Sequence, residues 1–394
     1  MNDLSGFCET TRALHNGAAP AGLLRTPSPV VQRGSTVLLP TAEALYDTSR
    51  TTYGRGGLAT HQALCEALSD LEHAERTFLY PSGLSAITGV LQALTAAGDH
   101  ILVTDAAYNP TRRFIEGTLR RFGVGATYYP ACASAEEIAQ LIQPNTRLVY
   151  MESPASLTFE IQDVPAIAAM AQAHDLVTVV DNTWASGVLF KPLDHGVDIS
   201  IQALTKYVCG HSDVFMGSAA VRGPAAELLA RSSYEVGWAV SPDDAYLALR
   251  GLRTLHSRLA HHGASALQVA RWLQDQPEVA EVLCPGLPGA RGHELWKRDF
   301  TGMCGLFGVI LEPASEGAVK AMVEGLMLFG LGYSWGGFES LALPCDPQLA
   351  ARVCDPAREG PLLRLHIGLE TPADLIRDLR GGLDRLASHG GVRD

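Results

Sequence analysis

Two short segments of this chain could bring an acid and an amine together. Leu176–Val180 is a run of aliphatic and β-branched residues that ends in Asp181, the pattern of a buried strand with a carboxylate at its C-terminal end. Val197–Gln202 is a second strand pattern, and it runs through Ala203, Leu204 and Thr205 into Lys206 and then a glycine-containing turn. Lysine is seldom buried unless it is paired or reacting. Desolvation lowers its proton affinity and turns the ammonium into a usable amine. An aspartate at the neighbouring strand end can hold a protonated ring nitrogen. A Schiff-base lysine with an aspartate on the pyridinium nitrogen is the recurring pattern of pyridoxal phosphate enzymes. A surface lysine and a turn-capping aspartate satisfy the same spacing.

Other candidates fall between periodic segments. Tyr53-Gly54-Arg55-Gly56-Gly57 places an aromatic ring and a permanent cation among glycines, which suits a phosphate or carboxylate as well as a plain turn. Pro81-Ser82-Gly83-Leu84-Ser85 follows a short strand at Thr77–Tyr80 and precedes a helical pattern over Ala86–Ala97. Free backbone N–H groups at such a helix start bind anions. The turn matches neither the Walker pattern nor GxGxxG, which disfavours ATP and NAD. Arg364 lies in the apolar run LLRLHIGLE, where it needs an anion, either a substrate or a structural carboxylate. Tyr333-Ser334-Trp335-Gly336-Gly337-Phe338 sets aromatics beside glycines.

The elements that must position these residues alternate. Strand patterns at His100–Thr104, Val124–Tyr129, Arg147–Glu152 and Leu176–Val180 are separated by helical ones at Thr111–Phe122, Ser134–Gln143 and Val164–His174. This predicts an α/β fold with a mostly parallel sheet and helices on both faces. Ligands in such sheets bind at the C-terminal strand ends, where Ser82, Gly83, Tyr108, Ser153, Asp181, Thr205 and Lys206 all fall. Thr60 is expected to cap a helix carrying Leu64, Ala67, Leu68 and Leu71. Pro224–Tyr234 and a single long segment, Pro242–Leu273, read as helices. Val279–Leu283, Gly305–Leu311, Val319–Leu328 and Leu363–Ile367 would build a smaller domain, with a last helix from Pro372. The expected division is 1–56 as an N-terminal arm against a neighbouring subunit, 57–252 as the cofactor-binding domain and 253–394 as the small domain.

Composition narrows the function class. The 394 residues are 47% hydrophobic and 18% charged, which fits packed globular domains and argues against disorder. A net charge of −12 without a basic run disfavours nucleic acid. The eight cysteines, including Cys209, Cys345 and Cys354, show no CxxC or zinc spacing, so reduced cytoplasmic thiols and no metal are expected. The residues around Asp3 lack a signal pattern, and no apolar run is long enough to span a membrane. His61, His211, His366 and the GHELWKRDF stretch read as structural.

YGRGG, PSG, AAYNPT, MESPASLT, VVDNTWASG, ALTKYVCGHSD, GLRTL, GHELWKRDFTG, SWGGFESL and LLRLHIGLE occur in this order. From about Pro29 onward the chain resembles the Cys/Met-metabolism enzymes that use pyridoxal phosphate on the aspartate-aminotransferase fold. The resemblance implies that Lys206 is the Schiff-base lysine, Asp181 the partner of the pyridine nitrogen and Tyr108 the stacking ring. It implies that Gly83, Leu84 and Thr205 hold the phosphate, and that Tyr53 and Arg55 reach the phosphate of a neighbouring subunit's cofactor. Arg364 would clamp the substrate carboxylate, helped by Ser334, with Trp335, Tyr234 and Tyr53 on the substrate side. Lys206 and Tyr108 would be catalytic.

Ala203, Ser156 and Trp335 stand where γ-acting members usually have serine, asparagine and an aliphatic residue. The implied reaction is therefore β-elimination at the Cβ–S bond of cystathionine, giving homocysteine, pyruvate and ammonia, in a cytoplasmic homotetramer with shared sites. Cleavage of other S-substituted cysteines, including a desulfhydrase activity, and a pyridoxal-containing regulator acting by partner binding are the other readings. Leu204 is larger than the residue this resemblance leads one to expect there.

Overall fold

The inner strands are buried on both faces, which explains how the chain layers itself. The structure is a computed structural model that describes residues 6–15, 26–47, 49–349, 352 and 358–389. Asp3, Pro20, Cys354 and the corresponding parts of the expected arm lie outside these residues. Seven strands form the first sheet: β1 (Arg76–Tyr80), β2 (His100–Thr104), β3 (Gly125–Tyr129), β4 (Thr146–Glu152), β5 (Val177–Asp181), β6 (Ile199–Gln202) and β7 (Gly217–Val221). Their order is β1-β7-β6-β5-β4-β2-β3. Neighbours from β6 to β3 pair in parallel, and only β7 runs antiparallel, against β1 and β6. The expected mostly parallel α/β sheet is therefore present.

Side chains alternate along a strand. Leu102, Val149, Met151 and Val180 enter one apolar cluster, whereas Ile101, Val103, Leu148, Tyr150 and Val179 enter another. Helices Ala59–Glu72, Val164–Ala173 and Pro242–Leu252 cover the first face. Helices Gly83–Leu94 and Ala225–Val236 cover the second. Strands buried on both faces can carry uninterrupted Val, Ile and Leu, as β2 does over Ile101–Val103.

The Leu255–Gln274 helix leads to a second sheet of β8 (Val279–Leu283), β9 (Leu306–Leu311), β10 (Phe329–Leu331), β11 (Ser340–Pro344) and β12 (Leu362–His366). Its order is β10-β11-β12-β9-β8, parallel only between β10 and β11. Helix Glu316–Glu324 packs on it at β10 and β11, and Pro372–His389 packs against that helix and against Leu255–Gln274. One continuous apolar core serves both sheets, with Leu204 fully buried inside it.

Several local expectations change. The segment expected as one helix over Pro242–Leu273 is two, broken at Arg253–Thr254. At the break Thr254 Oγ1 donates to Gly251 O at 3.2 Å and accepts from Arg258 Nε at 3.0 Å. Gly251 there packs so closely that a Cβ would lie 2.2 Å from Val208 O. The Thr111–Phe122 helix starts at Asn109 and passes into a π-turn over Ile115–Leu119, and Ser134–Gln143 is helical only over Ala135–Ala139. Thr60 does not cap its helix, which starts at Ala59. Its hydroxyl instead donates to Val30 O and accepts from Gln32 N, both at 2.8 Å, and so ties down the arm. Strands β10 and β11 and the His293–Asp299 helix have no counterpart in the sequence reading. Among the described residues no helix is long and apolar enough to cross a membrane.

Candidate active site

The C-terminal ends of β4, β5 and β6 converge on one edge of the first sheet. Glu152 and Asp181 are register partners across β4 and β5, so their carboxyl groups leave the same face, and both are buried. Asp181 accepts hydrogen bonds from Thr183 N at 3.0 Å and Thr183 Oγ1 at 2.5 Å. The Thr183 hydroxyl in turn accepts from Ala203 N at 2.9 Å. This Asp-x-Thr turn locks the end of β5 to the start of the Lys206 turn. Burial pushes the Asp181 carboxyl up, opposed by the Thr183 hydrogen bonds and by Lys206. Burial and the Asp181 charge hold Glu152 well above the ordinary carboxylate range. Two adjacent buried carboxyls do not both ionise readily, and the Ser156 and Tyr108 hydrogen bonds oppose the rise at Glu152.

Lys206 follows β6 in a tight turn in which its N–H reaches Ala203 O at 3.1 Å. Its Nζ donates to Ser334 Oγ at 2.8 Å and lies 5.3 Å from the centre of the Trp335 ring. Burial, with the Arg364 charge in the same direction, pushes the amine down to about 8, while Asp181 opposes the shift. A group so placed is a usable base and nucleophile near neutral pH.

Arg364 on β12 is buried, and its Nη2 donates to Tyr333 O at 2.8 Å and Ser334 O at 3.1 Å. Among the described residues no acid forms an ion pair with it, so within them its guanidinium is an uncompensated charge beside the amine, the condition for binding an incoming carboxylate.

Tyr108 sits at the start of the Asn109–Phe114 helix with 46% of its surface exposed. Its N–H donates to Glu152 Oε2 at 2.7 Å, and Glu152 also takes the Ser156 hydroxyl. The phenol is pushed up by burial and by Asp181 and Glu152, with Arg364 opposing. Lys206, Asp181, Tyr108, Arg364, Ser334 and Trp335 are thus brought together.

The Gly83–Leu94 helix begins beside this group. Ser82 caps it, its Oγ accepting from Ser85 N at 3.0 Å. Gly83 N and Leu84 N have no acceptor among the described residues, and they point off the helix start as a phosphate requires. A Cβ on Gly83 would come within 2.4 Å of Ala203 Cβ, so glycine is what lets this helix start abut the Lys206 turn. The residues fit pyridoxal phosphate: free N–H groups for an anion at one end, an amine for an aldehyde, and a buried acid for a ring nitrogen. The Thr205 hydroxyl is committed to Met216, donating to its O at 3.1 Å and accepting from its N at 3.0 Å. It must exchange one of these bonds to reach a phosphate.

Tyr53, Arg55 and Tyr234 form a separate group. The Arg55 guanidinium lies 5.3 Å from the Tyr53 ring centre and 5.2 Å from that of Tyr234. Tyr53 and Arg55 border a cavity of about 270 Å³ lined also by Gln32, His61 and Val240. Among the described residues no hydrogen bond, ion pair or ring contact joins them to Lys206. Tyr234, expected with Trp335 and Tyr53 on the substrate side, stacks on Arg55, carried to that face by the Ala225–Val236 helix.

Sequence reasoning missed Glu152, Thr183 and Tyr207. Glu152 carries the same signal as Asp181, an acid closing an apolar strand. Tyr207 is fully buried, accepts from Gly305 N at 2.8 Å and packs 5.5 Å from the Trp335 ring. Among the described residues no cluster of His, Cys, Asp or Glu is placed to hold a metal.

Comparison with known proteins gives a consistent family and a divided set of reactions. The profile of the Cys/Met metabolism PLP-dependent enzymes matches residues 10–384. The cystathionine beta-lyase of Bordetella avium is 42% identical, over 98% of this chain and all of its own length. A relative from Wolbachia pipientis wMel, 40% identical over 91% of this chain and 93% of its own, is an L-alanine/L-glutamate racemase. The solved cystathionine gamma-lyase from Lactobacillus plantarum, complexed with L-serine, superposes with a TM-score of 0.90 at 30% identity, covering 97% of this chain and all of that one.

Proposed function

The chain belongs to the Cys/Met metabolism PLP-dependent enzymes and uses pyridoxal phosphate, and from that premise we propose that it is a carbon–sulfur lyase acting on L-cystathionine. The reaction breaks the Cβ–S bond and consumes one water, giving homocysteine, pyruvate and ammonia. One observation carries the reading: the Lys206 amine, pushed down to about 8, sits 2.8 Å from Ser334 Oγ with the uncompensated Arg364 charge beside it. A base and a carboxylate clamp thus face one space, and the Trp335 ring, 5.3 Å from the amine, gives a thioether chain an apolar wall.

Lys206 would bind the cofactor covalently, Gly83 N and Leu84 N its phosphate, Tyr108 its ring face and Asp181 its ring nitrogen. Tyr53 and Arg55 would reach the phosphate of a neighbouring subunit in a cytoplasmic homotetramer built from dimers, and Tyr234, stacked on Arg55, would travel with them. When bound, the cofactor supplies an aldehyde for the substrate amine and a conjugated ring that accepts the electron pair left at Cα. Arg364 holds the substrate carboxylate through the N–H groups that Tyr333 and Ser334 leave free, and so fixes which Cα bond stands toward Lys206. The freed Lys206 amine takes the Cα proton. Lys206 or Tyr108 returns a proton to the departing sulfur.

A wider C–S lyase activity on other S-substituted cysteines uses the same residues. It is favoured by the open side beyond Trp335, where Tyr333 is 78% exposed. A panel of cystathionine, cystine and S-alkyl cysteines, with pyruvate and free thiol measured, tests both. Cystathionine turned over best supports the first reading, and preference for another conjugate supports the second. Release of 2-oxobutyrate, or racemised substrate without pyruvate, overturns β-elimination.

A further inference from the structure

Ser334 and Trp335 reach the Lys206 amine from a loop without regular structure, so something must seat that loop. Among the described residues, the backbone hydrogen bonds of residues 334–337 all run to β12. Ser334 O accepts from Arg364 Nη2 at 3.1 Å. Gly336 N and Gly337 O lie 3.1 and 3.2 Å from His366 Nε2. Arg364 and His366 are two apart on one strand and therefore share a face. A neutral imidazole makes one of the two His366 contacts at a time: a bare Nε2 accepts from Gly336, and a protonated one donates to Gly337. The opposite nitrogen, Nδ1, is enclosed and has no partner, and the residue is 1% exposed. Burial first, then His262, Arg364 and Lys206, push the ring down to about 3, so it stays neutral. Gly336 completes the seat. Its φ is +84°, and a Cβ there would lie 2.8 Å from Tyr207 N and 2.9 Å from Lys206 C.

We infer that His366 is a positioning residue whose Nε2 fixes the Gly336–Gly337 peptide and thereby seats Ser334 and Trp335 against the Lys206 amine. Its importance for turnover rests on the lyase reading above. Its effect on the loop does not. The imidazole is thus not a passive core histidine, although it sits beside one. His262, with its ring centre 5.4 Å away, bonds Ile367 O at 2.8 Å and makes no bond to the loop.

The test compares His366→Leu, His366→Gln and His262→Leu in the full chain. Backbone deuterium exchange over residues 333–338 is followed without cofactor, and cystathionine kinetics with it. Removing the bond in His366→Leu should speed loop exchange about tenfold, the ratio equivalent to one net hydrogen bond. It should also raise KM about tenfold with kcat changed less than about threefold. Glutamine, which offers both an acceptor and a donor, should restore both readouts toward wild type. His262→Leu should lower the melting temperature while leaving loop exchange unchanged. Unchanged loop exchange in His366→Leu, or equal acceleration in His262→Leu, would overturn the inference. Should His366→Leu not fold, His366→Phe takes its place with the same expectations. Wild-type protein that protects the loop yet fails to cleave cystathionine would count against the lyase reading alone.

Discussion

Two regions of the site are held by different means. The sheet edge that carries Glu152, Asp181 and the Lys206 turn is fixed by parallel ladders and by packing on both faces. The 333–338 loop that carries Ser334 and Trp335 is fixed by Arg364, by His366 and by the absence of a side chain at Gly336. Moving an atom in the first region means breaking a ladder. In the second region it means changing one side chain. Groups that would make and break bonds therefore lie on the rigid part, and groups that would meet the variable end of a substrate lie on the adjustable part, a division that lets selectivity change without rebuilding the chemistry.

Substitutions can break or sharpen this contrast. The largest effect is expected from Lys206→Ala, which should lower pyruvate release by about 10³-fold or more, the scale of general acid–base catalysis. The absorbance of lysine-bound cofactor should vanish with it, and wild-type turnover would remove the rigid half of the argument. Arg364→Ala should cost about 100-fold in kcat/KM, because it removes charge-assisted hydrogen bonds from substrate and loop together. Arg364→Lys should not restore it, since an ammonium lacks the planar fork.

Gly336→Ala should destabilise the fold by about 1–3 kcal/mol through strain at a positive φ and should raise KM more than it lowers kcat. A fall in kcat alone would blur the two regions into one. The next effect is one of pH. The Lys206 amine, held at about 8 in the fold, keeps its proton up to about 10.4 when unfolded. The unfolded chain therefore binds more protons between these values, and cofactor-free protein should gain stability as pH rises from about 8 toward 10. Lys206→Met should flatten that slope in denaturant titrations. The smallest effect is expected from mixing Arg55→Ala and Lys206→Ala protomers. Confirmed mixed oligomers should recover part of the activity, and no recovery would place Arg55 outside a shared site.

The same contrast explains what could be read from sequence. Asp181 and Lys206 were legible because the first closes an apolar strand and the second lies in the turn that follows one, patterns set by local burial. Glu152 carries an equal signal at the end of the apolar run Leu148–Met151, and only its register with Asp181 gives it meaning. The break at Arg253–Thr254 was hidden because apolar spacing continues across it, and the close approach of Gly251 to Val208 beside it joins residues far apart in sequence. Strands β10 and β11 were missed for a similar reason, since Phe329–Leu331 is three residues long and Ser340–Pro344 ends in proline. His366 read as structural because an isolated histidine in a strand says nothing about which loop lies above it. Tyr234 meets Arg55 only in the fold, because helix phase alone does not tell which neighbour a solvent-facing ring meets.

The near-contact of Gly83 with Ala203 has one more consequence. The two grips proposed for the opposite ends of the cofactor, the helix start and the lysine, are gauged against each other by a single methyl group. A larger residue at either position would lengthen that gauge, and the vitamer could then be held at one end or the other but no longer at both.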